Sequence, residues 1–468
     1  MPKALENLLP ILLLLGAIAG VLWRLPKVDL GHSPQFKRRR FFNWFPLGLT
    51  YAFLYFGRYN LSAVQPDLDK LGLLTKAQFG NIDGAGAITY GVAFLLNGPL
   101  TDRWGGRTTI LIAAGGSAVM NVVMGALFSL SKSGAIDHTQ LVSFLTFANA
   151  ANMYFQSFGA VSIVKVNANW FHLRERGVLG GVFGILISLG LYFAYDWSLA
   201  IYRVLPLPWV FWIPGLVLVA FFLLDLAVIR DSPAQAGFAE LETGDASYSA
   251  DGEGPPKLSV LARRMFGQRV IWIIIAVEFC SGFLRNAVMK WYRAYAKDTG
   301  ATNTFVYANW GLVSCVAGIL GGVFAGLISD HVFGSRRGPV AAVLYGGLLI
   351  GAGATMLLLG APALGWSVAG MSVCVIGVHG MLSGTMSADF GGKKGAGMTT
   401  GIIDGFVYLG SATQAFIYGA ILPTGAAAKD PQAWRSWPLA MIPVAVVGLS
   451  LAAALWHSRP TATAAGGH

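Results

Sequence analysis

The residues of this chain most able to do chemistry are ionisable side chains set inside long apolar runs. Arg58, Lys165, Arg285 and Lys290 are the basic ones, Asp83, Glu278 and Asp404 the acidic ones, and His379 is the histidine among them. A charge at the middle of a bilayer costs about 2.5 to 3.5 kcal/mol, so each marks a candidate functional position. Arg58 and Arg285 stand apart because neither lies near a run end from which it could snorkel to water. Two guanidinium forks converging at low dielectric match a dianionic phosphate, which each can grip bidentately. The other reading pairs each arginine with a carboxylate such as Asp83, Glu278 or Asp404. Tyr51 and Tyr55 precede Arg58 by seven and three positions, on one helical face. Tyr408 lies in the penultimate apolar run, and all three hydroxyls suit phosphate or sugar oxygens. Lys290 and Asp404 complete the candidate substrate-binding set. Lys165 and Lys290 lie nearer run ends, where snorkelling is the competing reading.

The elements that must position these groups are membrane-spanning helices. Of 468 residues, 55% are hydrophobic and 12% charged, against about 25% charged in soluble domains. The chain is therefore read as an all-α integral membrane protein. Hydropathy places spans near 5–23, 42–64, 79–98, 107–129, 139–165, 176–195 and 208–229, then 269–292, 305–329, 338–358, 363–385, 395–421 and 436–456. That is one extra N-terminal helix followed by two sets of six. The expected divisions are an extra helix and basic loop over 1–35, a first half over 36–229, a linker over 230–268, a second half over 269–458 and a tail over 459–468. The net charge of +11 fits loops on one side of the membrane rather than nucleic acid. With the loop after the extra helix cytoplasmic, 20 of the 33 Lys and Arg fall on that side, as the positive-inside rule requires. The linker and the C-terminus fall there too. Cys280, Cys315 and Cys374 lie in apolar runs without metal or redox spacing. No phosphate-binding loop, zinc spacing or nucleophile elbow occurs, so neither enzyme, cofactor nor metal is expected.

The chain also repeats itself. Gly98-Pro99-Leu100-Thr101-Asp102-Arg103-Trp104-Gly105 is echoed by Gly326-Leu327-Ile328-Ser329-Asp330-His331-Val332-Phe333-Gly334, and Arg58 by Arg285, at nearly the same offset. Two motifs at one spacing argue for duplicated halves, in which Arg58 and Arg285 face each other. The first motif, followed by Arg107, resembles the signature between the second and third helices of the major facilitator superfamily. The implied fold is two pseudo-symmetric six-helix halves with a substrate site between them near the bilayer midplane. Asp102, Arg103 and Asp330 are then gating residues, the carboxylates latching neighbouring helix ends.

Within that superfamily the sequence resembles the organophosphate:phosphate antiporters, the glycerol-3-phosphate and hexose-6-phosphate transporter type. The resemblance runs from about Arg38 to Leu455 and rests on Tyr55-Phe56-Gly57-Arg58-Tyr59-Asn60, Trp170-Phe171-His172-Leu173-Arg174-Glu175-Arg176-Gly177, Arg230-Asp231-Ser232-Pro233, Phe283-Leu284-Arg285 with Trp291, Ser329-Asp330-His331-Val332-Phe333 with Arg337-Gly338, and Lys393-Lys394-Gly395-Ala396-Gly397. It implies phosphate-binding roles for Arg58 and Arg285 and site roles for Tyr51, Tyr55 and Tyr408. It departs at Tyr59, Phe94 and Ile187, where the family's glycerol-3-phosphate type has basic residues, and at Lys290, where it has an acid. The expected function is exchange of an organic phosphate ester for inorganic phosphate by a monomer in the plasma membrane. A sensor of sugar phosphates with the same fold, and a proton-coupled carrier of another anion using Asp83, Glu278 or Asp404, are the alternatives.

Overall fold

The computed structural model describes residues 30–242, 267, 269–333, 337–382 and 387–456, with 16, 18–20 and 23; for 173–174, 176–181, 327, 330–331 and 387–400 only the backbone is described. Most of the expected extra helix and of the linker lies outside these residues. The first six helices are α1 (Pro34–Lys70), α2 (Lys76–Trp104), α3 (Gly106–Lys132), α4 (His138–Trp170), α5 (Leu173–Tyr192) and α6 (Trp209–Val228). The second six are α7 (Arg269–Asp298), α8 (Trp310–Leu327), α9 (Arg337–Leu357), α10 (Leu364–His379), α11 (Ser387–Ile421) and α12 (Ser436–Ala454).

Local signals explain where several of these begin. Ser33 caps α1 ahead of Pro34, whose fixed φ suits a first helical turn. Thr75 with Gln78, and Asp137 with Gln140, form reciprocal capping boxes on α2 and α4. Several helices overrun the spans expected from hydropathy. α1 takes up Lys37 to Arg40, α11 starts at Ser387, and after α5 the chain continues through a π-helical turn, Phe193–Trp197, into Ser198–Val204. Hydropathy marks the apolar slab, whereas the helices run on into the polar layers.

The packing repeats with a period of six helices. α1 packs on α5 and α6, α2 on α4, and α3 on α4 and α6; α7 packs on α11 and α12, α8 on α10, and α9 on α10 and α12. The halves meet along α2 with α11 and α5 with α8, pairs that the same pseudo-symmetry exchanges. α2 and α11 approach closely enough that a side chain at Gly91 would lie 2.8 Å from the carbonyl oxygen of Gly405, the small-residue contact typical of helices in lipid. Among the described residues, seven helices are long and apolar enough to cross a membrane by length and composition. Those that miss that measure include α1, α2, α4 and α11, and the reason is chemical: they carry the buried polar side chains of the interior.

One end of the molecule is closed across the halves. At the end carrying Lys76, the buried Lys76 Nζ lies 2.7 Å from Asp298 Oδ2 and donates to the Pro423 carbonyl at 2.6 Å. Lys297 pairs with Asp67 there. Asp196, presented by the π turn, accepts from the backbone N–H groups of Gly311 at 2.8 Å and Leu312 at 3.0 Å, so a residue of the first half caps the start of α8 in the second. At the opposite end the described ion pairs, Arg40 with Glu175 and Lys165 with Asp102, stay within the first half. Added Cβ atoms at Gly184 of α5 and Gly322 of α8 would meet nothing within 4 Å. The α5–α8 seam thus splays toward this end.

Candidate functional site

Arg58 sits near the middle of α1, 6% exposed. Its Nε donates to Gln156 Oε1 at 2.6 Å, its Nη1 to the Tyr408 hydroxyl at 3.0 Å and its Nη2 to the Tyr90 hydroxyl at 3.4 Å. The rings of Tyr55 and Tyr90 lie 4.5 and 4.7 Å from the guanidinium carbon. No carboxylate pairs with it among the described residues, so the ion-pair reading of Arg58 does not hold here. Tyr51 packs one step further along, its ring 5.5 Å from that of Tyr55.

A buried polar chain holds this arginine in place. Gln156 Nε2 donates to Ser117 Oγ, Ser117 Oγ to Asn152 Oδ1, and Asn152 Nδ2 to the Gly57 carbonyl, which also accepts from Asn121 Nδ2. Asn60 donates to Asn121 Oδ1 at 2.8 Å. A side chain at Gly57 would stand 2.7 Å from Asn121 Nδ2, which is why this segment needs glycine immediately before Arg58. Each buried amide has a partner, the condition under which a buried polar network orders a core instead of weakening it.

Arg285 approaches from α7, in the other half. Its guanidinium carbon lies 5.7 Å from the ring of Tyr408, the residue whose hydroxyl accepts from Arg58. Tyr408 on α11 thus touches both arginines. The buried Nε of Arg285 has no hydrogen-bond partner among the described residues. A small polar pocket, with room for about one water, opens beside Arg58, lined by Arg58, Tyr59, Asp83, Asn286, Lys290 and Tyr408 among others.

Lys290 is not a snorkelling lysine. It is 8% exposed, and its Nζ lies 2.6 and 2.7 Å from the two oxygens of Asp83, a pair that joins α7 to α2 across the halves. Asp404 is half-buried one turn before Tyr408 on α11 and does not line that pocket. Lys165 does reach the membrane edge, where its Nζ meets Asp102 Oδ1 at 2.7 Å in an exposed pair. Arg103 is exposed at the end of α2. The side chain that engages the start of α3 is Asp231, whose Oδ1 accepts from the backbone N–H of Arg107 at 2.8 Å beside the positive-φ Gly105. Asp330 lies in a π-helical turn after α8, and its side chain is outside the described residues.

Sequence reasoning missed Tyr90, Gln156, Asn149 and Asn286. Single neutral polar residues inside apolar helices carry a weak signal, although Asn149, Asn152 and Gln156 recur at three- and four-residue spacing and mark one inward face of α4.

Two six-helix halves with a polar site at their seam, closed at one end, define a secondary-transporter architecture. The family model of the Major Facilitator Superfamily matches residues 47–415, and the chain belongs to that superfamily. Membership places it among membrane transport proteins rather than enzymes. Among curated proteins it is similar to the membrane sensor protein UhpC of Salmonella typhimurium, 25% identical over 80% of this chain and 83% of that one. It is 24% identical to the glycerol-3-phosphate transporter of Bacillus subtilis over 92% of this chain and 95% of that one. It is 26% identical to a probable hexose phosphate transport protein of Chlamydia trachomatis over 91% and 92% respectively.

Proposed function

We propose that this protein exchanges an organic phosphate ester, of the sugar-phosphate or glycerol 3-phosphate type, for inorganic phosphate by alternating access between its two halves. The observation that carries the reading is the convergence of Arg58 and Arg285 on Tyr408 from opposite halves. One phosphate held by both forks would be held by both halves at once. Relatives named as carriers of glycerol phosphate and hexose phosphate support the substrate class.

The preference for exchange follows from electrostatics. An unoccupied site would have to occlude Arg58, whose partners are a glutamine and tyrosines, without an anion, and uncompensated buried charge is strongly destabilising. A bound dianion removes that penalty, so reorientation is fast when loaded and slow when empty. On this reading the protein works as a monomer in the plasma membrane, and the basic loops at the Arg40 end support a cytoplasmic position for that end. The site then faces inward, with the Lys76 end forming the closed outer gate. Lys290, held by Asp83, forms part of the wall around the organic moiety.

The similarity to a protein named as a membrane sensor favours a second reading, in which phosphate esters bind but do not cross. Proteoliposomes loaded with labelled inorganic phosphate separate the two. A carrier releases label when sugar phosphates or glycerol 3-phosphate are added outside; a sensor binds these compounds and releases nothing.

A further inference from the structure

We propose that Glu278 and His379 form a proton-binding site whose occupancy sets the charge beside Arg285, so that phosphate and a proton bind together. The inference rests on the phosphate reading of the arginine pair and adds a second, ionic ligand to it.

The two arginines have different surroundings. The partners of Arg58 are a glutamine and tyrosines. Arg285 instead has a carboxylate two turns earlier on the same helix face, at Glu278, which acts on it electrostatically together with Tyr55, Tyr59 and Tyr408. Glu278 is fully buried, and its Oε2 lies 3.4 Å from His379 Nδ1 on α10. The His379 side chain is 26% exposed. It stands at the last residue of α10, toward the open end, so the imidazole can collect a proton from water and present it to a carboxylate that water does not reach.

Among the described residues, the titratable groups facing this pair come from α7, α9 and α11. Arg285 and Asp404 act electrostatically on His379. Tyr345 of α9 donates its hydroxyl to the Val277 carbonyl beside Glu278, Tyr408 approaches from α11, and α12 has no titratable residue. A proton added to the ring nitrogen or to the carboxylate raises the charge of the pair by one. In either position it weakens the hold of Glu278 on Arg285 and favours an incoming anion. By linkage, phosphate must then draw a proton onto the pair to the same degree.

The test is calorimetry of inorganic phosphate binding to the purified full-length protein between pH 6 and pH 8, in buffers of different ionisation enthalpy, which counts protons taken up per phosphate bound. Phosphate's own ionisation is common to all variants and cancels in the comparison. The unaltered protein should take up more protons than Glu278→Gln or His379→Gln, by up to about one per phosphate. Both variants should bind phosphate with a flatter pH dependence. A second readout uses the unaltered protein alone, where proton uptake should exceed that calculated from phosphate ionisation. Equal counts in all three proteins, or no excess in the unaltered one, would overturn the proton site. Failure of the unaltered protein to bind phosphate would instead overturn the reading of the arginines.

Discussion

Gln156 and Tyr408 decide how Arg58 is presented. Gln156→Leu removes the acceptor of a 2.6 Å bond from a buried guanidinium, which should cost about 1.5 to 3 kcal/mol of stability. We expect a thermal midpoint several degrees lower and a matching loss of phosphate affinity; an unchanged midpoint would mean that Arg58 finds another partner. Tyr408→Phe keeps the ring beside Arg285 and removes the hydroxyl from Arg58. Phosphate affinity should fall by about fivefold, the value of one hydrogen bond of roughly 1 kcal/mol, with the fold unaltered. Arg58 and Arg285 stood out in the sequence because a charge in an apolar run is costly and therefore conspicuous, whereas Tyr51 and Tyr55 were singled out by their helical spacing from Arg58 and Tyr408 through the family resemblance. Tyr90 and Gln156 were not, since a tyrosine or an amide in such a run is equally consistent with packing. Nor could spacing reveal that Lys290 is held by Asp83, more than two hundred residues away.

At the scale of elements, the π turn at Phe193–Trp197 links local backbone geometry to the state of the whole carrier. Such turns insert one residue into a helix and redirect the chain beyond it; here the turn carries Asp196 to the backbone of Gly311 and Leu312. Asp196→Ala removes both cross-half bonds and should shift the balance toward the form open at the Lys76 end by about 1 to 3 kcal/mol. Spin labels at Leu71 and Asn303, one in each half at that end, should show a longer distance population in the variant than in the parent. An identical distance distribution would show that the lysine–carboxylate pairs alone keep this end shut. The turn has no sequence signature: hydropathy reads a single span over 176–195, and Asp196 falls just beyond its end. Hydropathy located the helices, but tertiary packing sets their ends and irregularities.

For the whole molecule, duplication was the most informative property of the sequence, because a motif and an arginine repeated at one offset imply both the six-helix period and an arginine in each half. The packing follows that period helix by helix. The proposed orientation rests on the distribution of Lys and Arg. A cysteine at Ser133, exposed between α3 and α4, should react with an impermeant reagent applied to intact cells, and one at Ala234 only after permeabilisation; the reverse would invert the topology. The central claim is that each half contributes one fork to a single phosphate. Its most direct test is phosphate-loaded proteoliposome exchange by Arg58→Lys, Arg285→Lys and the double variant, which keep the charge and lose the planar fork. Each single variant should lose about 1.5 to 3 kcal/mol of binding, roughly tenfold to a hundredfold, with inorganic and organic phosphate affected alike and the double variant nearly silent. Near-normal exchange in both single variants would contradict the account.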